Sequence, residues 1–244
     1  MRLIQKVSEI YNEIISGDHY KETRLGVAPS NFLIAGITDW YGEDKLISMN
    51  TYMRVFAKDT PSVGNCIAGE IDVEMLKPEA TIPRQALLVP QIRITDGTRH
   101  SEWISKGMFY VDTRNITGEG TEAEKITLHG YDDMLKTEQD YPSSKLAWPA
   151  KDIDVVREIA DYIQVDIDPR TLAIMTKGYL VQLPSDLTCR ETLGYIAAMY
   201  GGSFIMSDIG ELRLVALNSI PPETNYLTTE NYDAITFGGD RIIV

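Results

Sequence analysis

Apolar residues step along the start of the chain at intervals of three and four. Leu3, Ile4, Val7, Ile10, Tyr11, Ile14 and Ile15 share one side, and Gln5, Lys6, Ser8, Glu9, Asn12 and Glu13 fill the other. That period predicts an amphipathic helix, ended by the Ser-Gly-Asp of 16–18. Its stripe fits either a core of its own chain or a partner subunit. From Tyr20 to about His129 the period becomes two. Ile67, Gly69, Ile71, Val73 and Met75 alternate with Glu70, Asp72 and Glu74, the signature of a strand with one buried face. Val89, Ile92 and Ile94 alternate with Gln91, Arg93 and Thr95, and Pro90 points to an edge or a bulge. Asp96-Gly97 marks a turn, and the polar loop 117–124 predicts a hairpin. Strands this closely spaced predict a sandwich or barrel.

After about 140 the pattern changes again. Pro142, Ser143, Ser144, Trp148 and Pro149 make a connector. Val155, Val156, Ile159, Ala160 and Ile163 then form a helical stripe, with Asp152 or Asp154 as its N-cap. Pro169 prevents continuation, and 179–184 reads as a short strand. Thr188 with Glu191 three residues on is a capping box. Leu193, Ile196, Ala197 and Tyr200 are the buried face of the helix it starts, and Gly201 is placed for a left-handed C-cap. Two strands follow, over 203–206 and 211–217, joined by a turn around Asp208 and Gly210. A helix on a two-stranded ribbon buries too little to stand alone. It must lean on the 155–163 helix, giving a small α+β module. The chain finishes on apolar Arg-Ile-Ile-Val, so it looks cut, or its last strand pairs with something else.

Charge narrows the function. The 244 residues carry a net charge of −13 and no basic run, which disfavours adhesion to nucleic acid. Two cysteines, Cys66 and Cys189, are too few for a disulfide framework or a four-cysteine zinc site, and they fit a reducing compartment. No stretch has the length of a membrane span, and charges interrupt what would be the apolar part of a signal peptide.

Catalytic chemistry is hard to find. His19, His100 and His129 belong to no recognised metal-ligand pattern such as H-x-x-x-H. Ser203 follows two glycines, but the helix cap explains them and no base is apparent. Cys189 lies in the first turn of a helix, where a thiol pKa can fall. Asp161, Asp166 and Asp168, and the pair Asp132-Asp133, lack the calcium-loop pattern and read first as surface carboxylates or caps. No residue is assigned a catalytic, cofactor-binding or metal role, and no cofactor is expected. Trp40, Tyr41, Trp103 and Trp148 serve equally as buried aromatics or as stacking faces for sugars.

The stretch 188–215, "TCRETLGYIAAMYGGSFIMSDIGELRLV", resembles an element of bacteriophage tail hub and tail-tip proteins. There a helix of the form (T/S)-x-R-(E/D)-x-L-x-x-I-A, closed by Gly-Gly, precedes a hairpin. "VVREIADYIQVDIDP" is similar to the preceding helix. "PSVGNCIAGEIDVEML" is similar to an early G-N strand, and "KGMFYVDTRN" with "KITLHGYDDMLKTEQDY" to later strands that run into a Y-D motif. The likeness covers roughly 46–217. It extends to the central hub of contractile tails and to the base of type VI secretion spikes.

The resemblance implies a mainly β fold with α+β. The helix that periodicity predicts over 1–18 is a departure from that family; after it come a tube-like β-barrel or sandwich over 19–142 and a linker over 143–151. A small α+β domain covers 152–219, and 220–244 starts a second β-domain or forms a C-terminal segment. It implies a structural, non-enzymatic subunit, a homotrimeric ring joining tail tube to tail tip. Partners would be the tube and other baseplate proteins, in a virion or phage-like particle assembled in the bacterial cytoplasm. Some relatives carry a cell-wall endopeptidase name, but nothing here matches a peptidase centre. Two alternatives stand beside the hub: a tail-associated cell-wall hydrolase, with Cys189 or a carboxylate pair as its candidates, and a host-surface carbohydrate-binding module using the tryptophans.

Overall fold

A computed structural model describes residues 7–29, 36–56, 60–118, 120, 124–217, 236–237 and 240–241. The first turns of the expected N-terminal helix, with Leu3 and Ile4, lie outside these residues, as does most of the C-terminal segment. The described helix, α1, is Glu9–Ile15, started by Ser8, whose hydroxyl accepts from the Tyr11 N–H. Its stripe divides: Ile14 is buried on its own chain, whereas Ile10 and Ile15 are 44% and 45% exposed. Glu102 anchors the helix start by accepting from the Ser8 N–H and hydroxyl.

Eight strands then form one antiparallel sheet. They are β1 Tyr20–Ala28, β2 Asp39–Tyr41, β3 Leu46–Tyr52, β4 Glu70–Leu76, β5 Leu87–Thr95, β6 Ile104–Ser105, β7 Phe109–Thr117 and β8 Lys125–Tyr131. Pairing runs β2-β1-β5-β7-β8-β4-β3, with β6 on β5. The two ends of this path are neighbours in sequence, since β2 and β3 are joined by residues 42–45. In a flat sheet they would lie six strand spacings apart, about 29 Å. The five Cα steps between Tyr41 and Leu46 reach about 19 Å at most. The sheet therefore curls on itself, as an open barrel whose seam lies between β2 and β3. The curl gives one face its core: Leu25, Ile71, Met75, Leu88, Phe109 and Leu128 are fully buried there, and Tyr41, Leu46 and Met49 from the two end strands pack on the same cluster. The alternation in β4 is as expected, with Ile71, Val73 and Met75 inside.

Pro90 is not on an edge strand. β5 sits between β1 and β7, and Pro90 pairs with Leu25. On its other side β5 pairs with β7 at Leu87 and Leu88, then with β6 at Gln91 and Ile92. The Pro90 carbonyl faces this handover and accepts from the Lys106 N–H. The proline's missing donor faces the same way, so no ladder bond is lost.

The α+β module follows. Ala150–Lys151 (β9) pairs with Leu180–Val181 (β10), so the connecting stretch is itself built into the module, with Ala150 buried and Trp148 packed edge-on to Tyr141. Helix α2 is Asp152–Ile163, and the whole expected stripe is buried. Neither aspartate caps it; the N-cap is Lys151. Asp152 is instead drawn into the core, where it accepts the Tyr200 hydroxyl. Asp168 caps the short helix α3, Pro169–Ile174, with Pro169 in its first turn. Helix α4, Cys189–Met199, carries the Thr188–Glu191 capping box, and Gly201 takes φ 62° after it. Strands β11 Gly202–Met206 and β12 Leu212–Ala216 form the hairpin, turning through Gly210 at φ 82°. A last pair, β13 Thr236–Phe237 and β14 Asp240–Arg241, lies beyond the module in sequence.

Candidate functional site

The residues that carry the sequence motifs meet where the barrel joins the module. Gly64 and Asn65 lie in the segment before β4, and their backbone lines the outer edge of β11. The Gly64 N–H donates to the Gly202 carbonyl at 2.7 Å, and the Phe204 N–H donates to the Asn65 carbonyl at 2.9 Å. Cys66 continues as a parallel bridge to Phe204 and enters the module's core. On the other edge of the hairpin, the Leu212 N–H donates to the Asp166 carbonyl and the Asp168 N–H to the Leu212 carbonyl. Both edges of a ribbon too small to stand alone are thus covered, one of them by the barrel's own chain. Helix α4 crosses the same strap at Gly194. A Cβ there would lie 2.7 Å from the Gly64 carbonyl oxygen, so the contact needs glycine on the helix.

Asp132 ties the second point. It is 3% exposed. Its Oδ2 accepts from the Gly69 N–H at 2.8 Å, and its own N–H donates back to the Gly69 carbonyl at 3.0 Å. Its Oδ1 accepts from the Met134 N–H and caps a 3-10 turn, Asp133–Glu138, that leads to the module. Burial pushes its carboxyl up to about 7, against the pull of these N–H groups and of Arg190. Arg190, the arginine of the helix motif, holds the same turn from α4. Its Nη2 donates to the Met134 carbonyl at 3.1 Å, and its Nη1 pairs with Glu138 at 2.6 Å. The Gly-Asn, Tyr-Asp and Thr-x-Arg-Glu motifs are therefore fasteners of a single joint.

The candidates for chemistry are dispersed. Cys66 and Cys189 are both buried, and burial raises their thiols to about 12 and about 11. For Cys189 the helix N-terminus does not prevail over desolvation, so the expected fall in its pKa is reversed. Ser203 accepts from the Asn65 N–H and serves the strap. His19 contacts the Gly17 carbonyl, His129 sits 2.7 Å from Asp72, and His100 lies 3.7 Å from Glu22. Burial pushes the Asp168 carboxyl up, but Arg170 and the helix N–H outweigh it and leave its pKa below the ordinary value. No group of three His, Cys, Asp or Glu that could hold a metal occurs among the described residues. None of their helices is long and apolar enough to cross a membrane.

The tryptophans are engaged with protein. The Arg24 guanidinium lies 3.9 Å from the Trp40 ring centroid and 4.1 Å from that of Trp103, and Arg93 lies 4.5 Å from Trp103. Glu22 pairs with Arg93, and the Gln91 side-chain oxygen accepts from Arg24, which offsets two like charges on one ring. The Trp40 ring also covers Gly26, where a Cβ would meet it at 2.8 Å.

Open features remain among the described residues. An apolar groove of about 450 Å³ runs between 180–187 and α4, with Leu180, Leu183, Tyr195 and Met199 exposed along it. A cleft of mixed polar and apolar lining, about 880 Å³, opens beside the joint, lined by Arg84, Gln85, Tyr110, Asp112, Tyr131 and Lys136 among others. Sequence reasoning missed the cleft, because its walls come from distant segments.

No protein-family model and no curated protein sequence matches the chain. Solved structures do. The 43 kDa tail protein of prophage MuSo2 from Shewanella oneidensis aligns with 82% of this chain and 56% of its own, at 15% identity and TM-score 0.48. A tail protein from Neisseria meningitidis MC58 aligns with 82% of this chain and 53% of its own, at 12% identity and TM-score 0.48. A chain of the half-lidded Francisella PdpA–VgrG complex aligns over 80% of this chain and 31% of its own, at 10% identity and TM-score 0.49. The chain spans just over half the length of the two tail proteins and about a third of the matched chain in the complex.

Proposed function

We propose that this chain is a structural subunit of a phage-like tail hub or baseplate. In this reading three copies close into a ring that joins the tail tube to the tail tip, without catalysis, in a virion or phage-like particle. The barrel of 19–142 and the module of 152–219 are its two working parts, and its partners are the tube and neighbouring tip proteins.

One observation carries the reading. The residues by which the sequence resembles tail hubs, Gly64-Asn65, Asp132 and Arg190, converge on one hydrogen-bonded joint between barrel and module. Motifs spent on fastening two parts suit a subunit whose task is to hold a shape. The buried, neutral thiols of Cys66 and Cys189 support the same view against a cysteine hydrolase. Native mass spectrometry of the chain at about 10 μM, where micromolar association registers, tests it. A trimer is the expected mass. A monomer that clears cell-wall material in a zymogram would replace the hub with a hydrolase.

A further inference from the structure

The cleft beside the joint is built around a pair of tyrosines. Tyr110 on β7 and Tyr131 on β8 are direct cross-strand partners, so their side chains lie side by side on one face of the sheet. Immediately after them the register slips. Val111 pairs with Gly130 and Thr113 with His129, which leaves Asp112 as the extra residue of a β-bulge. Gly130 allows the close approach, since a Cβ there would stand 2.5 Å from the Tyr110 carbonyl oxygen. Bulges re-aim side chains at barrel rims and beside sites, and Asp112 lines the cleft. Gln85 lines the facing wall at φ 58°, a conformation that costs a non-glycine residue of order 1 kcal/mol.

The chemistry of the lining selects the ligand. Two cations, Arg84 and Lys136, face the carboxylates of Asp112 and Asp133, and Lys136 already pairs with Asp133 at 2.7 Å. That balance gives no field for a phosphate or another strong anion. A metal is equally unsupported: both oxygens of Asp132 are taken by backbone N–H groups, which leaves Asp112 the one carboxylate of the lining without such a commitment among the described residues. A purely apolar ligand would strand the amides and charges. A neutral sugar presents flat C–H faces for tyrosine rings and a rim of hydroxyls that both donate and accept, which amide, carboxylate and guanidinium groups match. The volume, about 880 Å³, lies in the ligand-pocket range of about 300–1,000 Å³.

We propose that this cleft binds a neutral oligosaccharide, with Tyr131 as the stacking face and Gln85, Asp112 and Arg84 as its hydrogen-bonding rim; its neighbour Tyr110 is held by Lys136, 5.4 Å from its ring centroid, and by Asp133, and serves as the wall beside it. Sugar binding thus falls to this cleft; of the tryptophans that suggest it in the sequence, Trp40 and Trp103 are engaged with arginines and Trp148 packs edge-on to Tyr141. The proposal stands whether or not the chain is a tail hub.

The test uses the full chain on a glycan array, followed by titration with chitotetraose, maltotetraose and cellotetraose, watched by ligand-observed NMR up to about 10 mM, which reaches weak millimolar binders. Binding of at least one neutral oligosaccharide is expected, lost about tenfold or more in Tyr131→Ala and weakened several-fold in Gln85→Ala. Gln85 is exposed, so its replacement keeps the fold and guards against a variant that fails to fold. Trp103→Ala should bind as the parent chain does. No neutral glycan bound on array or in titration, binding unchanged in both Tyr131→Ala and Gln85→Ala, or preference for a sulfated tetrasaccharide would each overturn the proposal.

Discussion

Replacing Asp132 by asparagine probes the joint with almost no change of shape. In the folded chain burial raises the Asp132 carboxyl from its ordinary 3.8 to about 7. A folded-state pKa above the unfolded one means that the folded chain holds the proton more tightly. The stabilisation is fully present below about pH 4 and is lost as pH rises through about 7. Between pH 5 and pH 7 that is two pH units, on the order of 3 kcal/mol. The asparagine side chain cannot titrate. It also turns an amide N–H₂ toward one of the two N–H groups that the carboxylate accepts from, Gly69 or Met134, at a pH-independent cost of about 1–3 kcal/mol. Urea denaturation of parent and Asp132→Asn at pH 5 and pH 8 gives the stability difference at each pH, and groups that titrate in both chains cancel. The parent's advantage should shrink by about 2–3 kcal/mol on going to pH 8. An advantage that stays constant, or grows with pH, would refute the argument. It would mean that the two N–H groups and Arg190 overcome the desolvation and hold the carboxylate ionised at pH 5.

Two further outcomes follow from the same joint and the core beside it. Gly194→Ala places a Cβ 2.7 Å from the Gly64 carbonyl; overpacking at about 1–3 kcal/mol should exceed the gain of about 1 kcal/mol in helix propensity. Gly194→Ala should therefore lower the thermal midpoint, and Gly194→Val should lower it further. Cys189, buried with its thiol raised to about 11, should resist iodoacetamide at pH 8 in the folded chain and react promptly in urea, as followed by mass spectrometry; rapid alkylation of the native chain would contradict its placement.

What the sequence disclosed was local. The Thr188–Glu191 box, the φ of Gly201 and the alternation of Ile71, Val73 and Met75 depend on residues a few positions apart, and spacing reveals them. The features that sequence reasoning misplaced depend on distant partners. Asp152 reads as a cap until Tyr200 draws it inward. Pro90 reads as an edge or bulge residue until β6 and β7 are seen to divide the flank of β5. Trp40 and Trp103 could be buried aromatics or stacking faces by sequence, and Arg24, lying across both, decides for packing within the protein. Gly64 and Gly194 look like ordinary glycines, because nothing in either neighbourhood announces the other. The cleft was invisible for the same reason: Gln85, Asp112 and Tyr131 come from three separate segments.

The strap of Gly64 and Asn65 on β11 also sets an order of events in time. Cys66 meets Phe204 across 138 residues of chain. A ribosome adding about 5–20 residues per second needs roughly 7–28 s to make that length. All eight strands of the barrel have been made by Tyr131, yet throughout that interval the strap has no β11 to lie against. Its N–H and carbonyl groups are left to water or to whatever edge comes near. Completion of the joint is thus a late, long-range step. A nascent chain stopped anywhere between 131 and 202 would carry a finished set of barrel strands with an unsatisfied edge beside it, a species suited to capture by chaperones or to pairing with its own kind.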